Sequence, residues 1–152
     1  MIGTVLSFFA GLLPVGTEAP DFSLRDDAGN LVHLAGWKGR APVVLVFYPV
    51  DETPGCRKQL CELRDHWDEF ARRGVQVFGI NPGSAESHGK FRRNHHFPFP
   101  LLVDQGKKVA KLYGASGLVI RRTVYAIGKD GRIAFAERGK PDPGKILAAI
   151  AG

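Results

Sequence analysis

The sequence predicts an α/β domain arranged as a three-layer sandwich around a central mixed sheet. Three observations predict it. Residues 42–48 form an unbroken β-branched and aromatic run, the pattern of a strand buried on both faces. An amphipathic stretch follows, and then a second strand-like run at 75–80, an alternation that calls for parallel strands joined by a crossover helix. Near the end, the runs 123–127 and 133–137 are joined through Lys129, Asp130, Gly131 and Arg132, which predicts an antiparallel hairpin.

The remaining elements fall around these. Residues 22–24 and 31–34 flank Asp26, Asp27, Ala28, Gly29 and Asn30, a turn composition that predicts a small hairpin. After a Pro-Gly turn at 54–55, Leu60, Leu63, Trp67 and Phe70 recur at helical spacing. This predicts one helix, with Asp68 to Arg72 and Glu69 to Arg73 as outer i,i+4 pairs and Gly74 as its stop. Ser84 is placed to cap a helix whose inner face carries His88, Phe91 and His95. A strand within 98–103, a short helix at 107–113 and a C-terminal helix at 143–150 complete the domain. No repeat or low-complexity tract divides it. The expected organisation is an apolar extension at 1–14 and one domain over 15–152, in an order that suits thioredoxin-like folds.

A chain of 152 residues buries enough surface to fold without metal or disulfide support. Its 21 basic and 15 acidic residues give a net charge of +6. The basic residues are scattered in pairs (Lys38 and Arg40, Arg72 and Arg73, Arg92 and Arg93, Lys107 and Lys108, Arg121 and Arg122), so they read as solvated faces, and no nucleic acid partner is expected. The first thirteen residues are apolar but too few for the ~20 that span a bilayer. They lack the basic n-region and small-residue cleavage site of a secretory signal, so a cytoplasmic location is expected.

Both cysteines lie in the 54–65 segment, five residues apart. In a regular helix that spacing puts their Cα atoms roughly 8.7 Å apart, beyond the ~7 Å limit for a disulfide. Either Cys56 and Cys61 never pair, or the first turns unwind to let them. A C-x-x-C exchanger would need no such rearrangement, which disfavours simple thiol-disulfide exchange. His88, His95 and His96 invite a metal reading, but their spacing is poor for one and no carboxylate stands nearby in the sequence, so packed or solvated histidines are favoured and no metal is expected. Trp37 and Trp67 are read as core or rim packing.

Pro49, Thr53 and Cys56 match the P-x-x-x-T-x-x-C signature of peroxiredoxins, and Cys61 matches the spacing of the Q type, also called bacterioferritin comigratory protein. The likeness extends through Val15, Gly16, Ala19, Pro20, Asp21 and Phe22, through Ser87, His88 and Phe91, and through residues 98–102 and 109–114, spanning 15 to about 138. Members also carry an arginine opening a strand eight residues before an Asp-Gly turn, which counts back to Arg122, with Arg121 as the fallback. Arg57 and Gln59 depart from the pattern where threonine and glutamate are frequent, as do Val124 and Gly128.

The resemblance implies a thiol peroxidase acting on hydrogen peroxide or organic hydroperoxides. Cys56 would attack the terminal oxygen and become a sulfenic acid, and Cys61 would resolve it as an intramolecular disulfide. A dithiol protein such as thioredoxin would then reduce the bridge. Thr53, Gly55 and Arg122 are the implied substrate-binding donors, and Pro49 a shield over the sulfur. No cofactor is implied, and a monomer is expected. Lowering a thiol pKa from ~8.5 to ~6 raises its thiolate fraction at pH 7 only about 30-fold, so alignment of the peroxide and stabilisation of its developing charge must supply most of the rate. Two alternatives remain: an oxidant sensor that unwinds without fast turnover, and a thiol-disulfide oxidoreductase.

Overall fold

The computed structural model describes residues 11–150, Cys56 through its backbone. Most of the apolar extension expected at 1–14 therefore lies outside the described residues. Of its described part, Leu12 and Leu13 pack on the domain, and the Leu13 amide donates to the Tyr125 hydroxyl at 3.0 Å.

Strands β1 (Ser23–Arg25) and β2 (Leu31–His33) form an antiparallel hairpin across the predicted turn. The main sheet contains β3 (Val43–Phe47), β4 (Gln76–Asn81), β5 (Leu101–Val103), β6 (Thr123–Ile127) and β7 (Ile133–Arg138), in the order β5-β4-β3-β6-β7. β3, β4 and β5 are parallel, while β6 and β7 run antiparallel to their neighbours, so the sheet is mixed as expected. β3 lies at its centre and is buried throughout. Its period of two divides the core: Val44, Val46 and Tyr48 face one apolar layer, and Val43, Leu45 and Phe47 the other.

The first layer holds α1 (Pro54–Asp65), α2 (Trp67–Arg72), α3 (Ala85–His95) and α5 (Pro143–Ile150), which contribute Leu60 and Leu63, Phe70, Phe91, and Ile146 and Leu147 respectively. The second holds α4 (Lys108–Leu112), with Val109 and Ala110, and the covering residues Phe22 and Leu34. Ser84 caps α3 as expected, accepting a bond from the Ser87 amide at 3.1 Å.

The helix expected to run from the Pro-Gly turn to Gly74 is two helices. His66 leaves helical geometry (φ −102°, ψ 13°), and its amide bonds back to the Glu62 and Leu63 carbonyls, each at 3.2 Å. Leu60, Leu63 and Phe70 are nevertheless all buried, so the apolar stripe continues across the break. Among the described residues the expected outer ion pairs do not form: Arg72 donates to the Asp68 carbonyl, and Arg73 to the Leu147 carbonyl. The strand expected within 98–103 starts only at Leu101, since Pro98 and Pro100 have no amide hydrogen for a ladder.

Candidate active site

The sheet topology brings three segments together at one end. Phe47, the last residue of β3, pairs with Thr123, the first of β6, so Arg122 stands where β3 ends. The chain leaves β3 through Tyr48, half-buried Pro49, exposed Val50, Asp51, Glu52 and Thr53, and enters α1 with Pro54 as its first residue. Thr53 holds the N-cap position with extended backbone (φ −76°, ψ 149°), but its hydroxyl donates to the Val50 carbonyl at 3.2 Å and does not cap the helix. Gly55 and Cys56 are the second and third residues of α1, among the first four whose amides lack intrahelical partners.

Arg122 reaches this turn. A β-carbon built on Gly55 would stand 3.2 Å from its Nη2, so the absence of a side chain there lets the guanidinium lie against the helix. Its Nη1 donates to Gln59 Oε1 at 2.9 Å. Gln59 is buried at 5% exposure, and its Nε2 donates to the Gly139 carbonyl at 3.2 Å, while the Gly139 amide returns to the Arg122 carbonyl at 2.8 Å. Arg121, the fallback, is exposed, and its stem lies beside Gly117.

Gln59 was noted in the sequence only as a departure from a family pattern, yet it accepts a hydrogen bond from the Arg122 guanidinium. Its signal was its place one turn after Cys56 on the same helix face. Cys61 is a half-buried free thiol packed against the first core layer. Both cysteines belong to one unbroken helix, Pro54–Asp65, so the ~8.7 Å separation of their Cα atoms holds in this state.

The loop before α1 is fastened to α3 by two carboxylate–histidine pairs. Asp51, with 4% of its side chain exposed, accepts from the Tyr48 hydroxyl, the Ser87 hydroxyl and His88 Nδ1, each at 2.7 Å, and from Asn81 Nδ2 at 3.2 Å. Burial opposes its ionisation, but the bonds from His88 and Tyr48 and the His88 charge prevail and hold the carboxyl below its usual range. The other ring nitrogen of His88 lies 2.9 Å from the Leu102 carbonyl. Both ring nitrogens of His88 thus lie against oxygen atoms, which fixes the ring between Asp51 and the Leu102 carbonyl.

Glu52, at a left-handed φ of 63°, turns its carboxylate to His95 Nε2 and Asn94 Nδ2, each at 2.8 Å. Those bonds hold it below the usual glutamate range. Sequence reading found no carboxylate for these histidines because the partners stand 37 and 43 positions away. A cleft of about 160 Å³ lined by Trp37, Val43 and Ile127 lies at the opposite end of β3 and is not part of this site.

The AhpC/TSA family matches residues 15–136 of this chain. Peroxiredoxin Q of Oryza sativa subsp. japonica chloroplasts is 41% identical over 141 residues, covering 90% of this chain and 64% of the relative, so the chain spans about two thirds or slightly less of that plant protein. Peroxiredoxin Bcp of Bacillus subtilis is 39% identical over 130 residues, covering 80% of this chain and 82% of the relative. Among solved structures, peroxidoxin BcpB of Mycobacterium tuberculosis superposes with a TM-score of 0.83 at 31% identity, covering 90% of this chain and 96% of the other.

Proposed function

We propose, since this chain belongs to the AhpC/TSA family and within it to the peroxiredoxins, that it is a thiol peroxidase in which Cys56 is the peroxidatic and Cys61 the resolving cysteine. The observation that carries the reading is the convergence on one helical turn of the Cys56 backbone, the first amides of α1, which an α-helix leaves without intrahelical partners, and the Arg122 guanidinium bonded to Gln59. A helix N-terminus and a fixed cation both favour an anion, here the thiolate.

In the first step the Cys56 thiolate attacks the terminal oxygen of the hydroperoxide. The S–O bond forms as the O–O bond breaks, the departing alkoxide or hydroxide takes a proton, and the sulfur is left as a sulfenic acid. Arg122 and the amides of Gly55 and Cys56 stabilise the charge on the peroxide oxygens, Thr53 supplies a hydroxyl once it releases the Val50 carbonyl, and Pro49 screens the sulfur from water. In the second step the Cys61 sulfur displaces that hydroxyl as water, forming the disulfide. Because both residues sit in one continuous helix, this step requires its first turns to unwind. A dithiol protein such as thioredoxin reduces the bridge in exchange for its own disulfide. A monomer acting in the cytoplasm belongs to the same proposal.

The test follows hydroperoxide loss with thioredoxin, thioredoxin reductase and NADPH. Cys56→Ser is expected to abolish consumption, whereas Cys61→Ser consumes one equivalent and stops as a sulfenic acid that a dione reagent traps. Equal residual activity in both variants, or burst consumption without any Cys56–Cys61 bridge in the wild type, overturns the assignment.

A further inference from the structure

Two cations, not one, lean over the first turn of α1. The same β-carbon position on Gly55 that lies 3.2 Å from Arg122 Nη2 lies 3.3 Å from Lys140 Nζ and 3.8 Å from Lys140 Cε. Taken end to end, those distances put the two charges within about 6.5 Å of each other. Lys140 itself is exposed, but the backbone that carries it is fixed from behind. Gly139 accepts from Gln59 and donates to Arg122, and its φ of 88° is a left-handed turn that glycine takes without strain, from which Lys140 emerges toward α1.

Like charges this close repel, and a negative charge placed near both favours their charged forms. Among the described residues none forms an ion pair with Lys140. Glu62 lines the same small cavity as Gln59 and Lys140 without reaching the ammonium within 4.0 Å, and Glu52 is bonded to His95 and Asn94. The other charged groups near this turn, Arg57 and Lys58, are exposed and add further positive charge.

We propose that Lys140 is a second cation of the peroxidase site, placed with Arg122 to hold negative charge at the first turn of α1, on the Cys56 sulfur and on the oxygen that leaves the hydroperoxide. It is a positioning residue, acting through the charge it brings to that turn. The inference rests on the peroxidase reading, so its test has a readout that does not need turnover.

In a Cys61→Ser background, where one thiol titrates, the pH dependence of alkylation by iodoacetamide gives the Cys56 pKa. K140Q is expected to raise that midpoint by about half a unit, a modest shift because the lysine is solvated. The rate constant with hydrogen peroxide below the midpoint then falls about threefold. K140R restores both, and K145Q, which removes an equal charge from α5 where Lys145 pairs with Glu137, moves neither. A midpoint in K140Q equal to that in K145Q overturns the proposal. If the Cys61→Ser protein alkylates normally but consumes no peroxide, the peroxidase reading fails, while the K140Q comparison still decides whether Lys140 acts on the thiol.

Discussion

Replacing Asp51 tests whether the carboxylate–histidine pairs hold the loop before α1 in place. In Asp51→Ala, four donors lose their acceptor: the Tyr48 hydroxyl, Asn81 Nδ2, the Ser87 hydroxyl and His88 Nδ1. His88 is fully buried, so water does not replace the lost carboxylate there, and removing one partner of such a pair costs about 3–5 kcal/mol. That is a large share of the roughly 5–15 kcal/mol that holds a domain folded. Asp51→Asn is different. Its amide oxygen still accepts from Tyr48 and Asn81, and its amide nitrogen takes the place of the carboxylate oxygen that faces His88 Nδ1, where it can donate to the ring. Only exposed Ser87 loses its acceptor, and water replaces it, so the expected cost is about 1 kcal/mol.

Urea unfolding measures both. With a slope of ~2 kcal/mol per molar, the midpoint falls by about 1.5–2.5 M in the alanine variant and by about 0.5 M in the asparagine variant, with the slope unchanged. The pH dependence follows from the lowered carboxyl pKa of Asp51. A group whose folded pKa lies below its unfolded value of ~3.9 contributes stability above that value and loses it as pH falls through the folded pKa. The share of the gap that comes from Asp51 ionisation should therefore close under acid conditions, below about pH 4. Equal losses in the two variants, or a loss under 1 kcal/mol in the alanine variant, would refute the donor and acceptor count.

Arg122→Met is expected to lower the rate constant with hydrogen peroxide by about a hundredfold or more, as loss of a fixed transition-state donor does. Arg121→Met, one residue away and exposed, should stay within about twofold in the same stopped-flow assay. Phe91→Ala removes a fully buried ring that packs edge-on against Phe97 at 4.9 Å, and a loss of about 3–5 kcal/mol is expected from chemical denaturation.

The strands were legible because β3 and the middle of β4 are short runs rich in β-branched and aromatic residues, bounded by turn residues and buried on both faces. The break at His66 was not legible: side-chain spacing carries the apolar stripe straight through it, and only the backbone departs. In the candidate site, Cys56, Thr53 and Arg122 were nominated by resemblance to a family signature, and the topology brings them to one end of the sheet. Gln59, Lys140 and the Asp51–His88 pair were not. Their meaning lies in approaches between segments 37 to 85 residues apart, which the topology makes and no local pattern records.

The interruption at His66 also sets a limit on motion. Loss of helical order beginning at Pro54 passes both cysteines and then meets a seam, where the His66 amide is already stitched back to Glu62 and Leu63. Beyond that seam Trp67 rests on Phe99 and Phe70 is sealed in the core. On the proposed mechanism the seam would work as a firebreak: the dozen residues of α1 would rearrange to join the two sulfurs while the wall behind them stands, and reduction would find the original template intact.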